Sequence, residues 1–211
     1  LPKRWIFGLA TAAVGIVAFF VLTSENRMTR VMAMLSGRGG DSGDPLGAHW
    51  QSDHGLYALA SGGWLGVGLG ASREKWSWLP EAHNDFIFAI IGEELGLLGA
   101  AAVIALFSVL GFGIYRLMVQ STSVFVQTAS AAVFAWLIGQ AAVNIAVVAG
   151  IAPVIGVPLP FVSYGGSSML AALIAAGLLL SFARSEEGVA DALRERRSRF
   201  WGSLSFLKRR S

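Results

Sequence analysis

Apolar residues run along this chain in long blocks separated by short polar seams. The first block, 5–22, reads "WIFGLATAAVGIVAFFVL", carries no charge and follows Lys3 and Arg4. A second uncharged block occupies 95–114, a third begins at Val124, and a shorter fourth follows a Pro- and Gly-rich stretch. A helix of about 20 such residues rises about 30 Å, the thickness of a bilayer's hydrocarbon core. The pattern therefore predicts an all-α polytopic membrane protein with transmembrane helices over 5–22, 86–115, 124–150 and 167–183. The second helix is expected to be continuous, with 86–92 extending it outward so that Glu93 and Glu94 lie near the membrane edge, where charge is tolerated. On that helix Glu93 would sit about 80° around from Asp85, and Glu94 about 180°.

Two connections are unusual. Residues 23–85 are too many for a simple connector. They include "NRMTRVMAML", with Met28, Val31, Met32 and Leu35 at helical spacing, then the breaker-rich "SGRGGDSGDPLGA". The Gly- and Trp-rich "HWQSDHGLYALASGGWLGVGLGASREKWSWLP" follows and is expected to lie on, or dip into, one membrane face, because tryptophan favours the headgroup level. Residues 151–166 contain Pro153, Pro158 and Pro160 among several glycines; non-helical backbone at membrane depth must be buried in protein or line a cavity. Gln140 and Asn144, four apart, share a face of the third helix and suit hydrogen bonds across helices.

Composition sharpens the class. Charged residues make up 14%, against about 25% in soluble domains, and the mean hydropathy is +0.62. The absence of cysteine excludes disulfides, thiolate catalysis and cysteine metal sites. The pI near 9.7 does not indicate nucleic acid, because eight of the 16 Lys and Arg lie in the tail 184–211. Positive charge marks the cytoplasmic side, so both ends of the chain are expected in the cytoplasm, with loops 23–85 and 151–166 outside. The tail's Phe200, Trp201, Leu204, Phe206 and Leu207 among basic residues suit a surface of membrane lipids.

Candidate chemistry concentrates in "PEAHNDFIFAIIGEELG", 80–96. Asp85 is a candidate general base at the outer mouth of a helix, or simply a residue of the helix start. Glu81 and His83 flank it, as substrate contacts or as ordinary surface and capping groups. Arg73 and Lys75, in "SREKW", are cations suited to a diphosphate, or a solvated pair around Glu74. Glu93 either shapes a polar cavity or is an interfacial structural group. Ser163, Tyr164 and Ser167, in "PFVSYGGSS", either meet substrate or build a cavity wall, with Ser167 or Ser168 capping the fourth helix. The glycines of "GVGLG" lack the Lys and Ser or Thr of a phosphate loop and suit close packing. His49, Asp53 and His54 form a weak metal pattern on a flexible stretch.

Three stretches, in order, resemble the SEDS family of FtsW, RodA and SpoVE, and lie closer to the FtsW branch: "YALASGGWLGVGLGASREKW", "LPEAHNDFIFAIIGEELGLLG" and "NIAVVAGIAPVIGVPLPFVSYGGSS". The resemblance implies a ten-span membrane enzyme of bacterial cell-wall synthesis, of which this chain, beginning without methionine, looks like the last four spans and is expected to be inactive alone. It implies an inverting glycosyltransferase that polymerises lipid II at the division septum of the plasma membrane, with the family's essential Asp falling on Asp85. A class B penicillin-binding protein and other divisome proteins are the implied partners. No residue of the chain demands a cofactor, and a divalent cation, Mg or Mn, near a pyrophosphate is chemically reasonable. A lipid II flippase and a non-catalytic divisome scaffold are the competing readings; the flippase would want ionisable groups along a two-sided path.

Overall fold

A computed structural model describes residues 48–74 and 84–186, together with Thr23, Met28 and Met32. The expected first span, 5–22, lies outside these residues, as do Lys75, Glu81, His83 and the tail from 187. Among the described residues the long helices are α1 (Ala48–Gly62), α2 (Ile87–Gln120), α3 (Val124–Val148) and α4 (Gly166–Ser185). Among the described residues there is no strand, and α2, α3 and α4 are each long and apolar enough to cross a membrane. The protein is all-α and membrane-spanning, as the blocks of apolar sequence predict. His49, Asp53 and His54, expected on a flexible stretch, belong instead to α1.

The first compact unit holds α1, the start of α2, the end of α3 and the following loop, within residues 1–104 and 140–164. Here α1 lies against the start of α2 through small residues spaced on one face. A Cβ at Gly55 would come within 3.0 Å of the Phe86 ring, and one at Gly62 would run into the Gly92 carbonyl. Ala58, Phe86 and Ala89 are buried at this junction. Glycine is what lets two backbones approach so closely.

The continuous second helix expected from the pattern is broken. Gly96 adopts φ 67° and ψ −163°, a conformation natural only to glycine. In an unbroken helix the carbonyls of Glu93 and Glu94 would accept from the amides of Leu97 and Leu98. Instead the loop after α1 splices into the gap. Val67 N–H donates to Glu93 O (2.9 Å) and Gly68 N–H to Glu94 O (3.1 Å), while Leu97 and Leu98 N–H donate to Gly63 O (2.9 Å) and Trp64 O (3.4 Å). All four backbone groups released by the break are thus satisfied, which a helix break at membrane depth requires. The approach leaves no room for side chains: a Cβ at Gly66 would meet the Glu94 carbonyl, and one at Gly96 the backbone of Trp64 and Gly66. Gly62 and Gly66 therefore serve backbone contact with a broken span, whereas a Cβ at Gly68 or Gly70 of the same stretch, expected to pack closely, would meet no such close backbone neighbour.

The second unit holds the remainder of α2, the start of α3 and α4, within residues 105–139 and 165–211. A Cβ at Gly111 of α2 would meet the Ile138 and Phe134 side chains of α3 at ordinary contact distance, and Phe125 meets Phe182 of α4 edge to face, with ring centroids 5.9 Å apart. The connection between α2 and α3 is tied by Gln127, whose amide donates to Ser121 O (2.8 Å). At the start of α4 the N-cap is Gly165 and carries no side-chain cap bond. Ser167 and Ser168 lie inside the first turn, and Ser168 Oγ donates to Gly165 O (3.1 Å). The expected serine cap is therefore corrected: the helix starts two to three residues earlier, capped by a glycine with no side chain to offer.

Candidate functional site

Asp85 lies in the turn 84–86 that immediately precedes α2, not on the helix itself, so the angular relation expected between Asp85 and Glu93 does not hold. The turn is gripped at two successive carbonyls. Asn144 of α3 donates from Nδ2 to Asp85 O (2.7 Å), and Ser163 donates from Oγ to Asn84 O (2.5 Å). Each of these side chains also binds the loop after α3. The Asn144 amide donates to Val157 O (2.6 Å), and Ser163 Oγ accepts from Leu159 N–H (2.7 Å). Asn144 and Ser163 are 1% and 3% exposed. One turn away on the same face of α3, Gln140 Nε2 donates to Pro158 O (2.9 Å).

The sequence explains why the loop needs these donors. Pro158 and Pro160 have no N–H of their own, so the segment cannot satisfy its carbonyls by forming a helix. Amides on a facing helix do so instead. Within the loop Gly156 takes φ +70°, and a Cβ there would lie 3.2 Å from Asp85 Oδ2. The half-buried Asp85 carboxylate thus faces a position where the backbone carries no side chain. A carboxylate fixed in this way can take a proton from a hydroxyl placed beside it.

A second polar cluster ties the splicing loop to α2. Glu93 is 2% exposed. Its carboxylate accepts from Ser72 Oγ (2.5 Å) and from the Arg73 backbone N–H (3.0 Å). The Arg73 side chain itself is exposed. Beside it Glu74 Oε2 lies 2.6 Å from His54 Nδ1, and the His54 ring is flanked by Trp50, with centroids 4.2 Å apart, and by Tyr57 edge-on.

Of the residues singled out from sequence, Asp85, Ser163 and Tyr164 lie in one unit and the structure brings the first two together through Asn84. Tyr164 is 82% exposed. Arg73 and Glu93 meet through the Arg73 backbone. Ser167 is exposed in the first turn of α4, in the other unit. Among the described residues, no three of His, Cys, Asp and Glu come together in a way that would hold a metal ion. The link from Asn144 to Asp85 spans 59 positions; the only trace of it in the sequence is the shared face of Gln140 and Asn144 ahead of three prolines. Ser72 carried no signal at all.

A family model described as "Cell cycle protein", that of FtsW, RodA and SpoVE, matches residues 1–188. The chain is 42% identical over 182 residues to a probable peptidoglycan glycosyltransferase FtsW of Thioalkalivibrio sulfidiphilus, covering 84% of this chain and 44% of that protein. It is 39% identical over 194 residues to one of Mycobacterium tuberculosis so described, covering 92% and 36%. It is 40% identical over 164 residues to the stage V sporulation protein E of Bacillus subtilis, covering 78% and 44%. The chain therefore spans less than half the length of these relatives. A solved chain from work on polymerization and crosslinking by a peptidoglycan synthase complex shares the fold, with a TM-score of 0.60 and 24% identity over 88% of this chain and 50% of that one. By the extent of the family match and by its relatives, this chain belongs to the cell cycle protein family of FtsW, RodA and SpoVE.

Proposed function

We propose that the intact protein is an inverting peptidoglycan glycosyltransferase that polymerises lipid II, with Asp85 as its general base. The observation that carries this reading is the Asp85 carboxylate itself, half-buried on a turn that two buried side chains pin at the mouth of a membrane-competent helix. A lipid-linked sugar in the outer leaflet would meet such a group at the membrane surface. The acceptor hydroxyl attacks the anomeric carbon and transfers its proton to Asp85. The bond to the anomeric oxygen breaks with its electron pair, and undecaprenyl pyrophosphate leaves. The names of the relatives support the glycosyl-transfer chemistry.

Arg73, exposed and with its backbone bound by Glu93, would offer a guanidinium to the diphosphate; Lys75 would join it as a second cation, and Glu81 and His83, which flank Asp85 in sequence, would contact substrate. Tyr164, an exposed residue, would offer its hydroxyl to substrate; Ser167 is proposed as a substrate contact on its sequence motif alone. Glu93 and Ser163 serve from inside the protein, through the hydrogen bonds they already make. The described residues provide no ligand set for Mg or Mn, and no step here runs through one. The protein acts at the septum in the plasma membrane, beside a class B penicillin-binding protein and other divisome proteins, with its basic tail in the cytoplasm.

The test is polymerisation of purified lipid II by the intact protein with its transpeptidase. Asp85→Asn is expected to abolish polymer while leaving detergent stability and partner binding at parental levels. Polymer at the parental rate would remove Asp85 as the base and bring flipping of lipid II in proteoliposomes, the transport reading, to the front.

A further inference from the structure

Asp85 and the loop after α3 are far apart in sequence, yet the structure joins them by two side chains that each hold both. Asn144 carries one hydrogen bond to Asp85 O and one to Val157 O from a single amide nitrogen. Ser163 carries one to Asn84 O and receives one from Leu159 N–H. The carboxamide oxygen of Asn144 is buried and has no hydrogen-bond partner among the described residues. The polar contacts of this buried group therefore lie on its donor end, toward two carbonyls. Leaving one polar atom of a buried amide unmatched is costly, so the two donated bonds are what this residue is kept for.

We propose that Asn144 and Ser163 are positioning residues for Asp85: they fix the turn 84–86 against the loop 156–159, and so hold the Asp85 carboxylate in the orientation in which it meets the attacking hydroxyl, close against the backbone of Gly156. The inference rests on the general-base reading of Asp85. Fixing only one carbonyl would leave the turn a pivot. Fixing two successive ones, from two different elements, removes rotation about the segment. The same donors hold the loop beside Gly156, whose missing Cβ lets the backbone approach Asp85 Oδ2 closely. Orientation of this kind acts on the chemical step more than on ground-state binding.

The experiment uses the intact protein with its transpeptidase and purified lipid II, and two independent substitutions. Asn144→Asp keeps the shape but turns the donating nitrogen into an oxygen facing two carbonyls. Ser163→Ala removes a single hydroxyl and is the milder change if the first variant does not fold. Both are read by kcat and KM, and by amide hydrogen exchange of the peptide covering 84–92. The expected result is a kcat lower by about 10- to 100-fold, a KM within about threefold of the parent, and faster exchange confined to that peptide. Parental kcat, a loss confined to KM, or unchanged exchange in 84–92 would each overturn the proposal. Asp85→Asn, run alongside, separates the two readings. If it polymerises normally, the general-base reading fails by itself, while exchange still reports whether the turn is clamped. If it is dead and the clamp variants are at parental rate, only the positioning role fails.

Discussion

At the scale of single residues, what matters around Asp85 is as much what is absent as what is present. Gly156 combines a left-handed backbone with a Cβ position 3.2 Å from the Asp85 carboxylate. Gly156→Ala is expected to cost about 1–2 kcal/mol in backbone strain. It should also lower kcat about tenfold or more by displacing the carboxylate, seen in the lipid II assay beside a melting curve of the same sample. A variant with parental turnover would show that the close approach of Gly156 to Oδ2 does not set the carboxylate's position. A carboxylate stands out beside an apolar run, but Glu81, Glu93 and Glu94 do so too; Asp85 was legible as the candidate base because the resemblance puts the family's essential Asp there. Its partners were not. Asn144 reads in sequence as one more polar residue on a helix face, and nothing in its neighbours says that it reaches a backbone carbonyl 59 positions away. Glu93 was equally visible, but its use was not: the groups it accepts from, Ser72 Oγ and Arg73 N–H, come from a loop whose course only folding determines.

At the scale of elements, periodicity and hydropathy located α2, α3 and α4 because a bilayer demands long uninterrupted apolar helices. The break in α2 was hidden for a simple reason. A glycine inside an apolar run is compatible both with a helix and with a break, and the outcome depends on whether other backbone can satisfy the two lost hydrogen bonds. Here residues 63–68 do so. Gly96→Ala would introduce strain at φ 67° and a clash with the backbone of Trp64 and Gly66. A loss of about 2–4 kcal/mol is expected, seen as a fall of more than about 5 °C in the detergent melting temperature. Gly113→Ala, where a Cβ meets nothing within 4 Å, should leave the melting temperature unchanged or slightly raised. Equal behaviour of the two variants would mean that the splice does not hold the loop.

At the scale of the whole molecule, the asymmetry of basic charge predicts the orientation in the membrane. The chain has no cysteine, so single cysteines placed in it can report sidedness in a cysteine-free background of the intact protein. Arg73→Cys is expected to react with an impermeant maleimide added to the outside of spheroplasts, and Ser211→Cys only after the membrane is opened. The reverse pattern would invert the topology and place Asp85 on the wrong face for a sugar carried in the outer leaflet. The sequence by itself determined the class of molecule, the approximate course of its helices, its family and the identity of its candidate base. Those properties depend on local composition, on the length of apolar runs and on motifs read in order. Only the tertiary structure decided that α2 is broken and respliced, that Glu93 is committed to a loop, and that Asn144 and Ser163 hold the turn of Asp85. Each of these is a backbone hydrogen bond made by partners distant in the chain, and unpaired backbone groups carry no mark in a sequence of side chains.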